Sequence, residues 1–201
     1  MMQGHLMLSG RSTEVVPIAH SEARRFVLAH HYSGRYPTGA MYRYGKVDDG
    51  LLVGVCVFGS PASPWVSVSA VGKMSQVLEL QRLALSNNRK NEASWFVARC
   101  MKMLAYHFRG VLVSYADTGE GHHGGVYQAL GFHYAGCSQA RTDIASRGHA
   151  RHHDGDPSER QQRTAKHRYW LSVPRGKFDD SCLWPSLPYP KPDEEREVTD
   201  E

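Results

Sequence analysis

Tyr127 opens the chemistry of this sequence. In Val126-Tyr127-Gln128-Ala129-Leu130-Gly131-Phe132 a phenol stands one turn before a glycine that permits a sharp helix exit. The phenylalanine that follows anchors the next strand in the core. A phenol there either donates a proton or packs at a helix end. Asp117 closes the apolar run Val111–Ala116 just before a glycine-rich loop, where carboxylates serve as reacting groups or as helix caps. Ser114, in the same run, is either a reacting hydroxyl or one satisfied inside the core. His31 follows His30 at a helix end, where an imidazole complements the helix dipole or acts as a base or metal ligand. Arg82 lies in Val77–Leu85 (VLELQRLAL), which otherwise reads as core. A buried guanidinium needs a counter-charge, supplied by Glu79 or by a bound phosphate. His122 and His123 read as solvated loop residues. His149, His152 and His153 with Asp154 and Asp156 lack zinc-ligand spacing.

These groups need a scaffold, and the patterning supplies one. Glu14–Ile18 reads as a strand, Ser21 as an N-cap, and Glu22–His30 as a helix stopped at Ser33-Gly34. Ala40–Val47 and Leu51–Phe58 form a hairpin across Asp48-Asp49-Gly50, and Ser60–Pro64 breaks the sheet. After strand Val77–Leu85 comes a helix from Asn91 to about Phe108, with a buried stripe through Val97, Met101, Leu104 and Phe108. Val111–Ala116 is a buried strand, Gly119–Gly125 a glycine–histidine loop, Val126–Leu130 a short helix, and Phe132–Cys137 and His167–Val173 are strands. Arg141–Arg163 reads as a long polar loop or insertion. The order is β-α-β-β-β-α-β-α-β-β, an α/β arrangement around one sheet.

The 201 residues, 41% hydrophobic and 22% charged, can bury a real core, which excludes a wholly disordered chain and a disulfide-stapled miniprotein. There is no bilayer-length apolar run and no secretion pattern at the N-terminus, so a soluble, cytoplasmic protein without membrane partners is expected. Cys56, Cys100, Cys137 and Cys182 have no metal-site spacing, and the first three read as small buried residues. The charge is divided. Residues 178–201, rich in proline and acid, carry −6 and read as a disordered tail, whereas residues 1–177 carry +10. Within that body Arg141–Lys177 holds +5 and four histidines, which suits a polyanionic partner or a solvated loop.

The run Val126–Phe132 resembles the YxxxGF signature of the GNAT acyl-CoA N-acyltransferase superfamily, placed after the fifth strand and a short helix as in that fold. Glu79-Leu80-Gln81-Arg82-Leu83, Ser94 at a helix start, Ser114-Tyr115-Ala116-Asp117 and Gly121–Tyr127 follow in order. With His31-Tyr32-Ser33 and Lys166-His167-Arg168-Tyr169, they resemble the Mom family of bacteriophage DNA-modification proteins from about Ala29 to Lys177. The resemblance implies one GNAT-like α/β domain over 1–177. Its central sheet would be mixed and mostly antiparallel, with splayed strands and helices on both faces. It implies modification of the exocyclic N6 amine of adenine by a methylcarbamoyl-type adduct that shields phage DNA from restriction in the host cytoplasm. The partner would be double-stranded DNA with the adenine flipped out. The donor would be acetyl-CoA or a related acyl-CoA.

In that arrangement Tyr127 is the general acid for the leaving thiolate, and Tyr127 and Asp117 converge on one cleft beneath parted strands. Asp117 and His31 handle the amine, with Ser114 beside them. Alternatively His31, Tyr32 and Asp117 ligate a divalent metal such as iron. Arg82, Arg89, Asn91 and Ser94 hold phosphate. Arg141, Arg147, Arg151, Arg163, Lys166 and Arg168 contact the DNA backbone, and Tyr36 or Trp65 stacks on the base. One departure stands out: the superfamily's glycine-rich RxxGxG/A turn, whose amides hold the coenzyme A diphosphate, is replaced by Leu85–Ser94, which has no glycine. Two other readings remain, an N-acetyltransferase acting on a small amine or lysine and a DNA-binding accessory protein without activity.

Overall fold

The computed structural model describes residues 12–74, 76–144 and 160–191. Along the chain run β1 (Thr13–Pro17), α1 (His20–His30), β2 (Ala40–Asp48), β3 (Leu51–Gly59), α2 (Pro64–Val71), β4 (Val77–Leu85) and α3 (Glu92–Leu104). There follow β5 (Gly110–Asp117), α4 (Gly125–Ala129), β6 (His133–Cys137), β7 (Arg141–Ile144), β8 (Arg160–Arg163) and β9 (Lys166–Val173). No helix among the described residues is long and apolar enough to cross a membrane. The chain falls into two units, one taking in residues up to Ser63 with Leu78–Phe108, the other Pro64–Val77 with the chain from Arg109 on.

In the first unit β1, β2, β3 and β4 lie side by side, each antiparallel to the next. The β2–β3 turn is the expected one. Asp48 faces Leu51, and the two loop residues Asp49 and Gly50 both take positive φ, which matches the strand twist. Helix α1 buries Ala23, Phe26 and Val27 against Val55, Val57, Ala84 and Tyr36. Its cap is Ala19 and not Ser21, because the Glu22 carboxylate reaches back to accept the Ala19 N–H at 3.0 Å. Helix α3 ends at Leu104, short of the expected Phe108, and buries Ala93, Phe96, Val97, Cys100 and Leu104.

In the second unit β9 is central, antiparallel to β5 on one side and β6 on the other. Helix α2 is an element the sequence reading passed over as a break. Pro64 starts it, and Val66, Ala70 and Val71 pack with Val111, Val113, Ala135 and Trp170. Two further expectations are corrected here. The two ends of Arg141–Arg163 are not loop: β7 and β8 pair antiparallel, Arg141 opposite Arg163, as a two-stranded sheet of their own. Nor is the start of the acidic tail unstructured. Trp170 Nε1 donates to Pro185 O at 3.0 Å, Leu187 bridges Tyr134, and the Tyr189 hydroxyl donates to Phe132 O at 2.8 Å. Residues up to Lys191 are thus an ordered strap, which exists because Trp170 and Phe132 need covering. Cys56 and Cys100 are buried as expected, but Cys137 is exposed.

Candidate active site

Side-chain alternation along β9 sorts the site. Tyr169 stands opposite Ser114 on β5 and Tyr134 on β6, so these three share a face with His167, two residues along. Tyr169 is fully buried and fastens α4 to the sheet: its hydroxyl donates to His123 O at 2.5 Å, and Gln128 Nε2 donates to its oxygen at 3.3 Å. Only glycine fits at 124, where φ is +83° and a Cβ would lie 2.4 Å from the Tyr169 ring. Tyr127 is thereby set over that ring, centroids 5.2 Å apart, and 5.4 Å from Phe132. Gly131, φ +66°, turns the chain so that Phe132 N–H donates back to Tyr127 O at 2.9 Å. The Tyr134 hydroxyl lies 2.9 Å from His167 Nδ1. Burial raises the Tyr169 phenol above its ordinary value, with the Tyr134 and Tyr189 phenols and the Cys137 thiol adding to it and the Gln128 hydrogen bond opposing it. Burial also raises Tyr134, reinforced by Cys137 and opposed by Arg168. Both phenols therefore stay protonated donors at neutral pH. The result is a wall of hydroxyls and one imidazole among tilted aromatic rings, with the Tyr169 proton held by His123 O.

Asp117 belongs to the other face. It stands opposite Lys166, whose Nζ lies 3.1 Å from Oδ2, while Oδ1 accepts the Gly119 N–H at 3.1 Å and the Thr164 hydroxyl. Burial pushes the carboxyl up, but the Thr164 and Lys166 hydrogen bonds, the Lys166 charge and the Gly119 N–H together hold it below its ordinary value. The expected convergence of Tyr127 and Asp117 on one cleft is thus corrected: the pleat separates them, and the carboxylate staples the end of β5 to the start of β9. A metal ion at Asp117 would have to displace Lys166 and Thr164.

In the first unit His31 Nδ1 accepts the Ser33 N–H at 3.1 Å, and the ring stacks on Tyr32 at 4.4 Å. That hydrogen bond leaves the proton of the neutral imidazole on Nε2. Among the described residues no group of three or more His, Cys, Asp and Glu side chains could hold a metal ion. Arg82 donates to Arg35 O at 2.9 Å and to Gln81 O at 2.5 Å. Arg89 and Asn91 lie in the turn before α3, where Asn91 takes left-handed φ (+63°) and Ser94 Oγ donates to Asn91 O at 3.0 Å. Tyr36 is buried in the core and unavailable for stacking, whereas Trp65 is 70% exposed. Arg168 is structural, donating to Ala135 O at 3.0 Å and lying over the Trp184 ring. Arg141 and Arg163 fall on the β7–β8 ribbon, and Arg147 and Arg151 lie outside the described residues.

Sequence reasoning missed Tyr134, His167 and Tyr169 as members of the wall, although alternation in Lys166–Val173 already puts His167 and Tyr169 on one face of their strand. It also missed Lys46, buried beneath α3, whose Nζ lies 2.5 Å from Asp48 and 2.9 Å from Glu92. Glu92 in turn accepts the Arg89 N–H at 2.8 Å. The turn before α3 is therefore held by a paired carboxylate and by the Glu92 N–H, which donates to Arg89 O at 3.1 Å, and Arg89 and Lys90 stand exposed beside it. That arrangement fits an anionic group without the glycine cradle.

The sequence matches the Mom protein family over residues 12–190. The chain belongs to the Mom protein family. No curated protein matches it. Among solved structures, the protein is similar to a putative acetyltransferase from Acinetobacter baylyi: TM-score 0.52, 15% identity, covering 85% of this chain and 97% of that one. It is also similar to Arabidopsis thaliana NAA60 in complex with acetyl-CoA: TM-score 0.52, 12% identity, covering 81% and 99%. A Bacillus subtilis acetyltransferase in complex with CoA gives TM-score 0.50 and 14% identity, covering 82% and 99%. The expected fold, a GNAT-like α/β domain with a mostly antiparallel sheet, is borne out.

Proposed function

We propose that this Mom family protein transfers an activated group to the N6 amine of adenine in DNA, leaving a methylcarbamoyl-type adduct that blocks restriction enzymes. The observation carrying this reading is the Tyr127 helix fastened over Tyr169 inside a chain that matches the Mom family almost end to end. Adenine's amine lone pair is delocalised into the ring, so the site must activate a weak nucleophile and exclude water. In a duplex the base must also leave the stack. The donor in this reading is a coenzyme A thioester whose acyl part already carries the carbamoyl nitrogen, because transfer from acetyl-CoA itself would leave an N6-acetyl group; the C–N bond forms as the C–S bond breaks, and the proton the amine loses restores the Tyr127 phenol. Within the first unit, Arg89, the first turn of α3 and Arg82 supply positive charge suited to an anionic group such as a diphosphate. Tyr127 donates its hydroxyl proton to the departing thiolate. Tyr134 and Tyr169, kept protonated by burial, maintain a hydrogen-bonding wall behind it. Ser114 fills the base of that wall.

Mass spectrometry of nucleosides from plasmid DNA co-expressed with the protein tests the proposal. The expected result is a heavier deoxyadenosine that disappears with Tyr127→Phe while the melting temperature is unchanged. Unmodified nucleosides from a folded protein, together with turnover of acetyl-CoA on polyamines without DNA, would favour the small-amine acetyltransferase that the fold neighbours suggest.

A further inference from the structure

The geometry points to the β7–β8 ribbon as the element that reads duplex DNA, entering the major groove to choose which adenines are presented; this rests on the DNA-directed function proposed above. The ribbon is a two-stranded sheet apart from the strands of the core, and such pairs are marginal in water without a hydrophobic face. Of its eight residues only Ile144 is aliphatic; the rest are Arg141, Thr142, Asp143, Arg160, Gln161, Gln162 and Arg163. Arg141 and Arg163 stand opposite each other in the register, and with Arg160 the ribbon carries three arginines against the one acid Asp143. That excess of positive charge suits a polyanion, and the basic body of the chain carries the same signature.

The foot of the ribbon is rigid. Ser138 N–H donates to Lys166 O and Lys166 N–H to Ser138 Oγ, both at 2.9 Å. Thr118 donates to Ala165 O through its N–H at 3.1 Å and its hydroxyl at 2.8 Å, and Thr164 is held by Asp117. The staple at Asp117 therefore fixes where the ribbon leaves the sheet. The chemistry on the ribbon suits base edges as well as phosphate. Thr142 and Gln162 are cross-strand partners, both exposed, and an amide paired with a hydroxyl offers donors and acceptors to the groove edge. Two strands about 4.8 Å apart fit a groove about 12 Å wide. The deep, narrow major groove of duplex RNA excludes them.

Fluorescence anisotropy of the full chain on a labelled DNA duplex across a salt series tests the inference without needing any donor. Arg141→Glu is expected to weaken binding at least about tenfold at about 0.1 M salt and to make the salt dependence shallower by about one ion. Gln162→Ala is expected to keep affinity within about twofold while broadening the sequence context of modified adenines in plasmid DNA. Circular dichroism melts identify variants that fold, and Arg141→Gln replaces Arg141→Glu should the latter fail. Folded Arg141 variants that bind as wild type does would overturn the inference even if DNA is modified. Ribbon-dependent binding without modification would uphold it while refuting the proposed activity.

Discussion

Lys46→Met is the most direct probe of how α3 is held. The Lys46 ammonium is 4% exposed and lies between Asp48 and Glu92, whose carboxylates are 34% and 15% exposed. Removing one partner of a buried ion pair costs about 3–5 kcal/mol, because the remaining charges are left uncompensated. Here the solvent that reaches Asp48 lowers this to about 2–3 kcal/mol. For a domain of this size each kcal/mol moves the melting point by about 2–4 °C, so the expected fall at neutral pH is about 4–12 °C. The pH dependence has a definite sign. Asp48 is held below its ordinary value first by the Lys46 hydrogen bond, and Glu92 by the Arg89 N–H and then by Lys46. Their contribution is complete above the unfolded carboxylate value, about 4, and is lost as pH falls through the folded values. Burial alone would lower Lys46, but the hydrogen bonds to Asp48 and Glu92 raise it. Its contribution is therefore complete below about 10.4 and fades only as pH rises through the higher folded value. The deficit of Lys46→Met should hold steady between those limits and shrink in acid, and adding Glu92→Gln should restore part of it. Differential scanning calorimetry showing Lys46→Met melting within about 1 °C of wild type at neutral pH would refute the account.

Two further changes address the site. Gly124→Ala puts a methyl 2.4 Å from the Tyr169 ring at a φ of +83°; a loss of about 2–3 kcal/mol in urea unfolding is expected, with DNA affinity unchanged. Asp117→Asn breaks an ion pair whose lysine is 43% exposed, so the cost at neutral pH should stay below about 1 kcal/mol. Because the Asp117 carboxyl sits below its ordinary value, its contribution is lost as pH falls through that folded value, and the variant should lack this part of the acid dependence in parallel urea titrations.

Periodicity carried far where one face of an element is buried. The β2–β3 hairpin, β4, β5 and β9 follow their alternation or apolar runs, and the Gly131-Phe132 exit was readable from residue type alone. It failed where tertiary packing outvotes local preference. Helix α2 is built from Trp65-Val66-Ser67-Val68-Ser69-Ala70-Val71, whose β-branched residues disfavour a helix, and it persists by packing with Trp170 and its neighbours. The strap beyond Phe178 looks like tail because proline and acid dominate its composition, yet two hydrogen bonds and a bridge to buried aromatics order it. At the site, Tyr127 and Ser114 were legible from motif, whereas the separation of Asp117 from them is a matter of register. No local signal states which β9 residue meets which β5 residue.

The strap has an electrostatic consequence. Tyr189 is moored to Phe132, the residue that follows the Tyr127 helix. Residues 178–201 carry −6 in the sequence against +10 for residues 1–177, so the strap opens a stretch opposite in sign to the body. Electrolyte screens the acidic stretch and the basic body alike, over about 10 Å at 0.1 M. Counting ions from a salt titration of the intact chain therefore measures the difference between two opposed fields.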